Sequence, residues 1–461
     1  MPDLVNAHLR GGRAWNWTNP SVLSLAQGSD PVETVITKAR DLVYRAFENG
    51  WSGPPYDPFL LAELLGIEVF PSEDVLEARI LAGPGGNLRI EFNPDRGTAR
   101  INYSIAHELG HTLFHDCAKI VRNRVKHSGA TSDEWQLEML CNIAAAEMLM
   151  PVGSMHRDDL EPNIDRLLEL RKKYAVSSEA VLLRIVRLTT RRCFGFVARK
   201  EPDSPTGRYR LDYAVGSQTW NPQVESGMVL PQNSVVSECT AIGFTAKSTE
   251  RWMETTGDLS VEALGIPPYP GRLYPRVIGL IRPLDTVEAA VREIRYLRGD
   301  ATAPRGSDFR ILTQIVNDRA IVWGAGFGRA VRRKWPTVQD EFAKWAVSDR
   351  VHFKLGNVHL SRVDDSLMIA HLVAQHGIGP SRTPRVRYGA LEACLQKLAV
   401  QAVSTGASVH MPRIGTGEAG GSWDIISEIV QENLCRNGID VTVYDLPSAT
   451  GKPKQSSLSF S

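Results

Sequence analysis

The 461-residue sequence predicts a multidomain chain of mixed class, α+β over about its first 290 residues and α/β after them. Length is the first observation, because a chain of this size holds two to four domains at roughly 150 residues each. The pattern of apolar residues is the second observation. Helical apolar spacing dominates residues 32–66 and 163–188, and strand-like runs follow to about residue 285. After that, strand-like segments alternate with helical ones. The predicted divisions are a tail at 1–30, a helix-and-sheet domain at 31–190, a β-rich module at 191–287, an α/β domain at 288–450 and a polar tail at 451–461.

Composition bounds the class of protein. Hydrophobic residues make up 43% and charged residues 23% of the chain, which is typical of globular domains. The 53 basic and 52 acidic residues give a net charge of +1, which argues against a protein that holds nucleic acid by bulk charge. The six cysteines are scattered with no C-x-x-C pair, and no apolar stretch approaches the roughly 18 residues of a membrane span. We therefore expect free thiols, no secretory signal, no membrane segment and a cytoplasmic location.

Local signals predict the elements of the first two domains. Short alternating runs between residues 78 and 105, such as LRIEF and ARINY, predict a small sheet. Helices are predicted around 104–114 and 135–149, and a helix pair is predicted over 163–188 with Ser177 as an N-cap. The segments RCFGFVARK, RYRLDYAVG, SVVSECTAI and YPRVIGLIRP predict strands of the β-rich module, which shows no constellation of ligands or paired acids.

The sharpest chemical signal is the run His107-Glu108-Leu109-Gly110-His111. On a helix, positions i and i+4 project from one face, so two imidazoles four residues apart can share a metal ion. Glu108 lies beside them, where its carboxylate can take a proton from water as a general base. The alternative is a helix whose histidines only cap or pack, and the apolar context SIAHELGHTLF favours the metal site.

A third ligand is expected from the next helix, EWQLEMLCNIAAAEMLMP, which offers Glu134, Glu138 and Glu147. Glu138 is favoured because small alanine residues flank its stripe and allow close helix approach. Spacing alone leaves Glu134, one turn earlier, open. His115 lies about 80° around the helix from His107, and we interpret it as a packing or supporting residue.

The segments IAHELGHTLFH and EMLCNIAAAEMLMP resemble the ImmA/IrrE metallopeptidases, whose pattern couples HELGH with a helix of the form E-x-x-x-N-x-x-A-A-x-x-L-M-P. The resemblance extends from about residue 32 to residue 188. It implies a small zincin-like domain with a helical extension, with His107, His111 and Glu138 as Zn²⁺ ligands and Glu108 as the general base. It also implies a protein substrate, typically a helix-turn-helix transcriptional repressor whose cleavage induces genes.

Two glycine-rich loops mark the C-terminal part. The first runs from Gly324 to Gly328 before the helix RAVRRKW, and the second runs from Arg413 to Gly421 after the strand VHMP. Backbone N–H groups of such loops and of helix N-termini can hold a diphosphate without side-chain charge. Each loop alone is explained more simply by glycines that permit a positive φ.

Taken in order, these segments resemble a macro domain over about residues 290–447, and the close MPRIGTG…W…VTVYDL is most similar to the terminal ADP-ribose glycohydrolase branch. The resemblance implies a three-layer α/β/α domain that binds ADP-ribose or a related nucleotide. By position, Asp300 would recognise the adenine amino group and Asn317 would lie near the distal ribose. The loop residues that would wrap the pyrophosphate and the ribose are Gly324, Ala325, Gly326, Phe327, Gly415, Thr416 and Gly417.

The sequence departs from that branch at two positions. Gln375 and Ala419 occupy the places of a lysine on the central strand and an aspartate in the second loop, and Glu418 is only a weak substitute. We therefore favour binding of the nucleotide over lysine-dependent deacylation.

The lead hypothesis is a cytosolic zinc-dependent endopeptidase with a macro domain that senses or targets ADP-ribose or an ADP-ribosylated ligand. An alternative hypothesis is an ADP-ribosyl hydrolase that acts through the macro domain, with the peptidase part regulatory. A third is a binding adaptor with neither activity, against which the intact HELGH run argues. None of them assigns a role to residues 191–287.

Overall fold

The protein is described by a computed structural model in two compact units, Met1–Ala290 and Val291–Ser461. The described residues are 17–82, 87–117, 122–123, 133–201, 207–217, 219–220, 227–252, 257–268, 273–284, 292–306, 308–319, 321–379 and 381–446. The predicted polar tail at 451–461 and most of the predicted N-terminal tail lie outside them.

The first unit combines helices with two sheets. Its helices are α1 (Pro20–Ala26), α2 (Pro31–Glu48), α3 (Pro58–Leu64), α4 (Thr98–His111), α5 (Glu134–Leu149), α6 (Ile164–Tyr174) and α7 (Ser178–Leu188). Its strands are β1 (Glu68–Pro71), β2 (Ala78–Ala82), β3 (Leu88–Phe92), β4 (Arg122–Asn123), β5 (Phe194–Lys200), β6 (Tyr209–Gly216), β7 (Thr245–Glu250), β8 (Leu259–Ile266) and β9 (Arg276–Pro283).

The smaller sheet has the order β1-β3-β2-β4 and lies beside α4. Strands β1 and β3 are parallel, and β2 is antiparallel to both of its neighbours. Helix α5 packs between α4 and α2, and its small residues Ala144 and Ala145 are buried in this contact. The sheet and these helices therefore bring α4 and α5 side by side at the centre of the unit.

Two local predictions in this region are wrong. The run ARINY is not a strand, because α4 already begins at Thr98, and Ile101, Ile105 and Leu109 form one helical stripe toward the core. The alternating appearance of the run hid that four-residue spacing. Part of the predicted tail at 1–30 is also ordered, since Val22 of α1 is fully buried.

The larger sheet has the order β6-β5-β9-β8-β7, and all its neighbouring strands are antiparallel. Helices α6 and α7 pack on one face, where Val197, Leu264 and Ile278 join the same buried cluster as the helices. The predicted N-cap at Ser177 is confirmed, because its side chain accepts a hydrogen bond from the N–H of Ala180. The β-rich segment and the helical extension therefore share one core.

The opposite face of the larger sheet has its own core of aromatic and aliphatic side chains. Trp252 lies there against Phe194 and Phe196, with ring centroids 6.0 and 5.4 Å away. The strand predicted from SVVSECTAI is wrong, because residues Val235–Glu238 form a 3-10 turn that the Ser234 hydroxyl caps. Strands β7 and β8, which the sequence patterns did not indicate, complete this sheet instead.

A buried ion-pair network fixes α5 from two sides. The Glu147 carboxylate accepts hydrogen bonds from Arg184 on α7 at 2.7 Å and from Arg40 on α2 at 3.2 Å. All three side chains are at most 5% exposed. Because an unpaired charge is costly in such surroundings, the network holds three helices in one arrangement.

The second unit is built on a six-stranded sheet of order β10-β15-β14-β11-β13-β12. Its strands are β10 (Arg295–Arg298), β11 (Arg310–Asn317), β12 (Val358–Arg362), β13 (Leu367–Gln375), β14 (Ser408–Pro412) and β15 (Val441–Asp445). Its helices are α8 (Gly326–Lys334), α9 (Pro336–Ser348), α10 (Tyr388–Thr405) and α11 (Trp423–Asn433). All neighbouring strands are parallel except for the edge strand β12.

Helices cover both faces of this sheet. On one face, Leu312 and Val316 of β11 pack with Val331 of α8 and Phe342 of α9. On the other, Ile315 lies near Ile426 of α11, and α10 packs on β13. The predicted alternation of strands and helices is thus confirmed, and the carboxyl ends of five parallel strands share one edge.

Neither unit contains, in its described residues, a helix long and apolar enough to cross a membrane. All six cysteines are buried, and they are present as thiols, as predicted. Burial raises the pKa of the Cys193 and Cys394 thiols to about 12, so these thiols stay protonated near neutral pH.

Replacing Glu147 tests the buried network. We expect Glu147→Ala to lower the free energy of unfolding by about 3–5 kcal/mol, because it removes the carboxylate that two buried guanidinium groups bind. Urea unfolding measures the change. The control is Glu169→Ala, which removes one of the two carboxylates that Arg166 contacts; because the Glu169 side chain is 65% exposed, the cost is about 1 kcal/mol or less. Equal effects of the two substitutions would contradict this assignment.

Candidate functional sites

Helices α4 and α5 bring His107, His111 and Glu138 together. One ligand atom from each side chain lies within 4.8 Å of the other two. Nε2 of His107 is 3.0 Å from one Glu138 oxygen, and Nε2 of His111 is 3.7 Å from the other. The histidine side chains are 2% and 0% exposed and the glutamate is 20% exposed, so the cluster opens toward solvent on the Glu138 side.

Gly110 allows the two helices to approach this closely. A Cβ atom added at Gly110 would lie 3.1 Å from both Cα and the carbonyl oxygen of Cys141 on α5. Any other residue would push the backbones apart, because few real Cβ atoms approach backbone so closely. The glycine of the HELGH run therefore sets the distance that Glu138 must bridge.

His107 is oriented from behind by Asn142. Its Nδ1 lies 2.8 Å from the Asn142 side-chain oxygen, which also accepts a hydrogen bond from the Tyr103 hydroxyl at 2.6 Å. Since an amide oxygen only accepts, Nδ1 is the donor in this contact, and Nε2 is the ring nitrogen that faces Glu138. Two acceptors 3.0 Å apart repel unless a proton or a metal cation lies between them.

Cys141 has the corresponding place behind His111. Its sulfur is 3.4 Å from Nδ1 of His111, so Nε2 of this ring also points into the cluster. Both residues are fully buried. Contacts at Nδ1 therefore orient both imidazoles toward the Glu138 carboxylate.

Glu108 is also fully buried beside the cluster. One of its carboxylate oxygens accepts a 3.0 Å hydrogen bond from the backbone N–H of Ile80 on β2. This bond fixes the direction of the carboxylate. The small sheet thus positions the predicted general base, while α5 supplies the third side chain of the cluster.

The structure distinguishes among the side chains that spacing left open. Glu134 is the exposed first residue of α5, and Glu147 is bound to Arg40 and Arg184. His115 lies beyond the end of α4 and is exposed, so its interpretation as a packing residue is wrong. Asn142 supports His107 instead, and the Tyr103 hydroxyl donates a hydrogen bond to Asn142. Tyr103 was not predicted to take part because it lies in the run ARINY, which was predicted to be a strand.

The predicted nucleotide residues all lie at the carboxyl edge of the six-stranded sheet. Asp300 follows β10, Asn317 ends β11, and the two glycine-rich loops follow β11 and β14. The exposed residues of the set are Asp300, Gly324, Ala325, Gly326 and Gly417, and those of intermediate burial are Asn317, Phe327, Gly415 and Thr416. Ligands of open α/β sheets bind at this edge, outside the carboxyl ends of the strands.

The two departures from the macro-domain pattern lie at the same edge. Gln375 ends β13 and is the register partner of Asn317. Ala419 is buried, and its carbonyl oxygen accepts hydrogen bonds from the N–H groups of Arg385 and Val386 at 2.7 and 3.0 Å. The loops after β13 and β14 are therefore joined. No charged side chain in the loop after β13 was predicted to belong to the site.

Comparison with known proteins identifies one part of the chain by family. Residues 62–186 match the family model Peptidase_M78, described as the IrrE N-terminal-like domain. The matched residues lie within the segment of about 32–188 for which the sequence resembles the ImmA/IrrE metallopeptidases.

Other relatives cover about a third of the chain. A chromodomain-helicase-DNA-binding protein 1-like protein from Danio rerio is 32% identical over 162 residues, which are 33% of this chain and 15% of that protein. The chain therefore spans only a small part of the length of this relative. A macrodomain protein from Streptomyces coelicolor is 40% identical with a TM-score of 0.30, covering 33% of this chain and 99% of its own. A protein of unknown function from Bacteroides thetaiotaomicron is 42% identical with a TM-score of 0.33, covering 34% and 99%.

Substituting Gly110 tests the helix contact. We expect Gly110→Ala to destabilise the protein by about 1–3 kcal/mol, because the added methyl group meets the backbone at Cys141. Urea unfolding checks the value. Gly97→Ala is the matched control, since an added Cβ at this cap of the same helix meets nothing within 4 Å and costs about 1 kcal/mol or less. A loss no larger than the control would contradict close packing of α4 on α5.

Proposed function

We propose that the first unit is a zinc-dependent endopeptidase. The observation that carries the proposal is the convergence of His107, His111 and Glu138 on adjacent helices, with Glu108 buried beside them. Two imidazoles and one carboxylate are a donor set that catalytic zinc uses, with a fourth position left for water or substrate.

The spacing of the donor atoms fits such an ion. Ligands about 2.0–2.1 Å from a tetrahedral zinc lie roughly 3.3 Å from one another. The separations of 3.0 and 3.7 Å between the histidine nitrogens and the Glu138 oxygens lie on either side of this value. A cation among these atoms would also remove the repulsion between the facing acceptors of His107 and Glu138. When bound there, zinc supplies Lewis acidity toward water and a peptide carbonyl.

The side chains of the protein perform the proton transfers. The Glu108 carboxylate takes a proton from the attacking water and then delivers it to the amine that leaves as the peptide bond breaks. The backbone N–H of Ile80 keeps the carboxylate in place during both steps. Asn142 keeps the proton of His107 on Nδ1, so that Nε2 remains a ligand atom.

The proposed substrate is a cytosolic helix-turn-helix repressor. This part of the proposal rests on the resemblance to the ImmA/IrrE peptidases. The partial exposure of Glu138 supports it in one respect, because a protein substrate must reach the cluster from solvent.

Substitution of Glu108 separates catalysis from metal binding. We expect Glu108→Gln to retain zinc and lower the rate of repressor cleavage by about 10²–10⁴-fold, because the amide cannot accept the proton of water. We expect His107→Ala to lose the metal. Gel analysis of repressors encoded nearby measures cleavage, and metal analysis of the purified variants measures zinc. Glu134→Gln, at the exposed start of α5, is the matched control and should cleave normally. Unchanged cleavage by Glu108→Gln would exclude this mechanism.

We further propose that the second unit is a macro domain that binds ADP-ribose or an ADP-ribosylated ligand and regulates or targets the peptidase. The supporting observation is that Asp300, Asn317 and both glycine-rich loops meet at one edge of the sheet. Helix α8 begins at Gly326, within the first loop, and the N–H groups of its first turn suit a diphosphate. Hydrolysis of an ADP-ribosyl bond is the alternative activity of the same edge.

Binding of ADP-ribose tests this second proposal. We expect Asp300→Ala to weaken binding about 10- to 100-fold, because a hydrogen bond to a charged group contributes about 1.5–3 kcal/mol. Isothermal titration calorimetry measures the dissociation constant. Asp365→Ala, at a fully exposed position after β12, is the control and should bind as the wild type does. Equal affinities of the two variants would remove Asp300 from the site.

A further inference from the structure

An open groove lies within the first unit, between the N-terminal part of α6 and the strands β7, β8 and β9 of the larger sheet. Its volume is about 640 Å³, which is in the range of sites that hold small organic ligands. The groove lies at the β7 edge of the sheet face that α6 and α7 cover. Six of its lining side chains are charged, and they are Asp165, Arg166, Glu169, Lys247, Glu262 and Arg282.

The floor of the groove is formed by side chains of the sheet. Lys247 of β7 is the register partner of Glu262 of β8, so both side chains leave the same face. Arg282 of β9 is two residues beyond Leu280, which is the other register partner of Glu262, and it therefore shares this face. Leu264 and Leu280 on the same face join the core with α6 and α7. The three charged side chains of the floor thus point to the helix side of the sheet.

A buried carboxylate holds the two cations of the floor together. One oxygen of Glu262 accepts hydrogen bonds from Nζ of Lys247 at 2.8 Å and from Nη2 of Arg282 at 3.0 Å. The other oxygen accepts a 2.9 Å hydrogen bond from the N–H of Ile164, the first residue of α6. Burial tends to raise the pKa of Glu262, but the bonds from Lys247 and Ile164 and the charge of Arg282 lower it overall. Glu262 therefore stays ionised near neutral pH.

The same two cations can also contact a second anion. Because both contact one oxygen atom, their nitrogens lie close enough for a carboxylate from solvent to reach both. The Lys247 side chain is 64% exposed and the Arg282 side chain is 28% exposed, and each has more donors than its bond to Glu262 uses. Glu161 lies 3.5 Å from Arg282, at the limit of hydrogen bonding, and is 46% exposed. Two cations on one buried carboxylate make this part of the floor suitable for an anionic group.

The helix wall of the groove is acidic. Asp165 and Glu169 are four residues apart on α6 and therefore lie on one face of the helix. Both side chains line the groove and are exposed, Glu169 by 65%. Arg166 also lines this wall, but its guanidinium contacts the carboxylates of Glu169 and Asp159. The wall is therefore suited to a positively charged group of a ligand.

Opposite charges on the floor and the wall indicate a ligand that carries both. A simple anion would meet the acidic wall, and a simple cation would meet Lys247 and Arg282. A peptide with free termini has an ammonium group at one end and a carboxylate at the other. Strand β7 favours a peptide over other zwitterions. In the part of the chain that the structure describes, this strand pairs with β8 alone, so backbone groups of its outer edge can bind an extended backbone.

We propose that this groove is a binding site for a short peptide whose two termini are free. The peptide carboxylate contacts Lys247 and Arg282, and its ammonium group contacts Asp165 or Glu169. The backbone between them lies along β7. The site gives the β-rich segment a role as a ligand-binding module, and it depends neither on the metal cluster nor on the second unit.

Calorimetric titration of the full-length protein with trialanine tests the proposal. We expect saturable binding, and we expect N-acetyl-trialanine and trialanine amide each to bind at least about tenfold more weakly, because each lacks one of the two charges. Absence of trialanine binding overturns the proposal. Equal affinity for the capped peptides, or for inorganic phosphate, also overturns it, since the groove would then not require both charges.

Variants of the groove locate the binding site. We expect Lys247→Met, and separately the double variant Asp165→Asn/Glu169→Gln, to weaken trialanine binding about fivefold or more. All three changes are at exposed side chains, and circular dichroism checks that the fold is kept. Lys200→Met is the matched control, because this lysine is on β5 of the same sheet and outside the groove lining, and it should bind as the wild type does. Wild-type affinity of both groove variants overturns the assignment.

Discussion

Glu138 reaches the histidines of α4 because the backbones of α4 and α5 meet at Gly110 and Cys141, and the rest of the candidate metal centre depends on this contact. The same approach brings Asn142 behind His107 and the Cys141 sulfur behind His111. Helix α5 cannot shift to relieve the contact, because Glu147 is held by arginines from two other helices. The buried ion-pair network of Glu147 and the contact at Gly110 thus hold α5 in register with α4.

The two units present their ligand groups in different ways. The first offers side chains from adjacent helices, which suits a small cation of fixed coordination. The second offers strand ends, glycine-rich loops and a helix N-terminus, which suit an extended anion. The near-neutral total charge conceals this division, since residues 1–290 hold 31 basic and 36 acidic residues while residues 291–461 hold 22 and 16. The net charges of −5 and +6 have the signs expected for a cation site and an anion site.

Sequence patterns sufficed where one helix or one strand carries the information. The four-residue spacing of His107 and His111, the cap at Ser177 and the strand-helix alternation of the second unit are of this kind. The choice among Glu134, Glu138 and Glu147 could not be made from one helix alone, because it depends on which glutamate the arginines of distant helices bind. The contact of the Asp318 carboxylate with His376 at 2.7 Å was not predicted either, because it follows a register shift between β11 and β13, which are far apart in the chain. Polar β7 was missed because it is an edge strand, where packing demands little of the sequence.

The shared core of the helical extension and the five-stranded sheet bears on how the peptidase part can be isolated. Val181, Ile185 and Leu182 of α7 are fully buried together with side chains of β5, β8 and β9. A fragment that stops near residue 190 would expose this apolar face of α7 to water, and such a surface favours aggregation. The smallest fragment that keeps the face covered extends through β9, to about Leu284. The compact unit that contains this core therefore extends about 100 residues beyond the segment that is similar to the peptidase family.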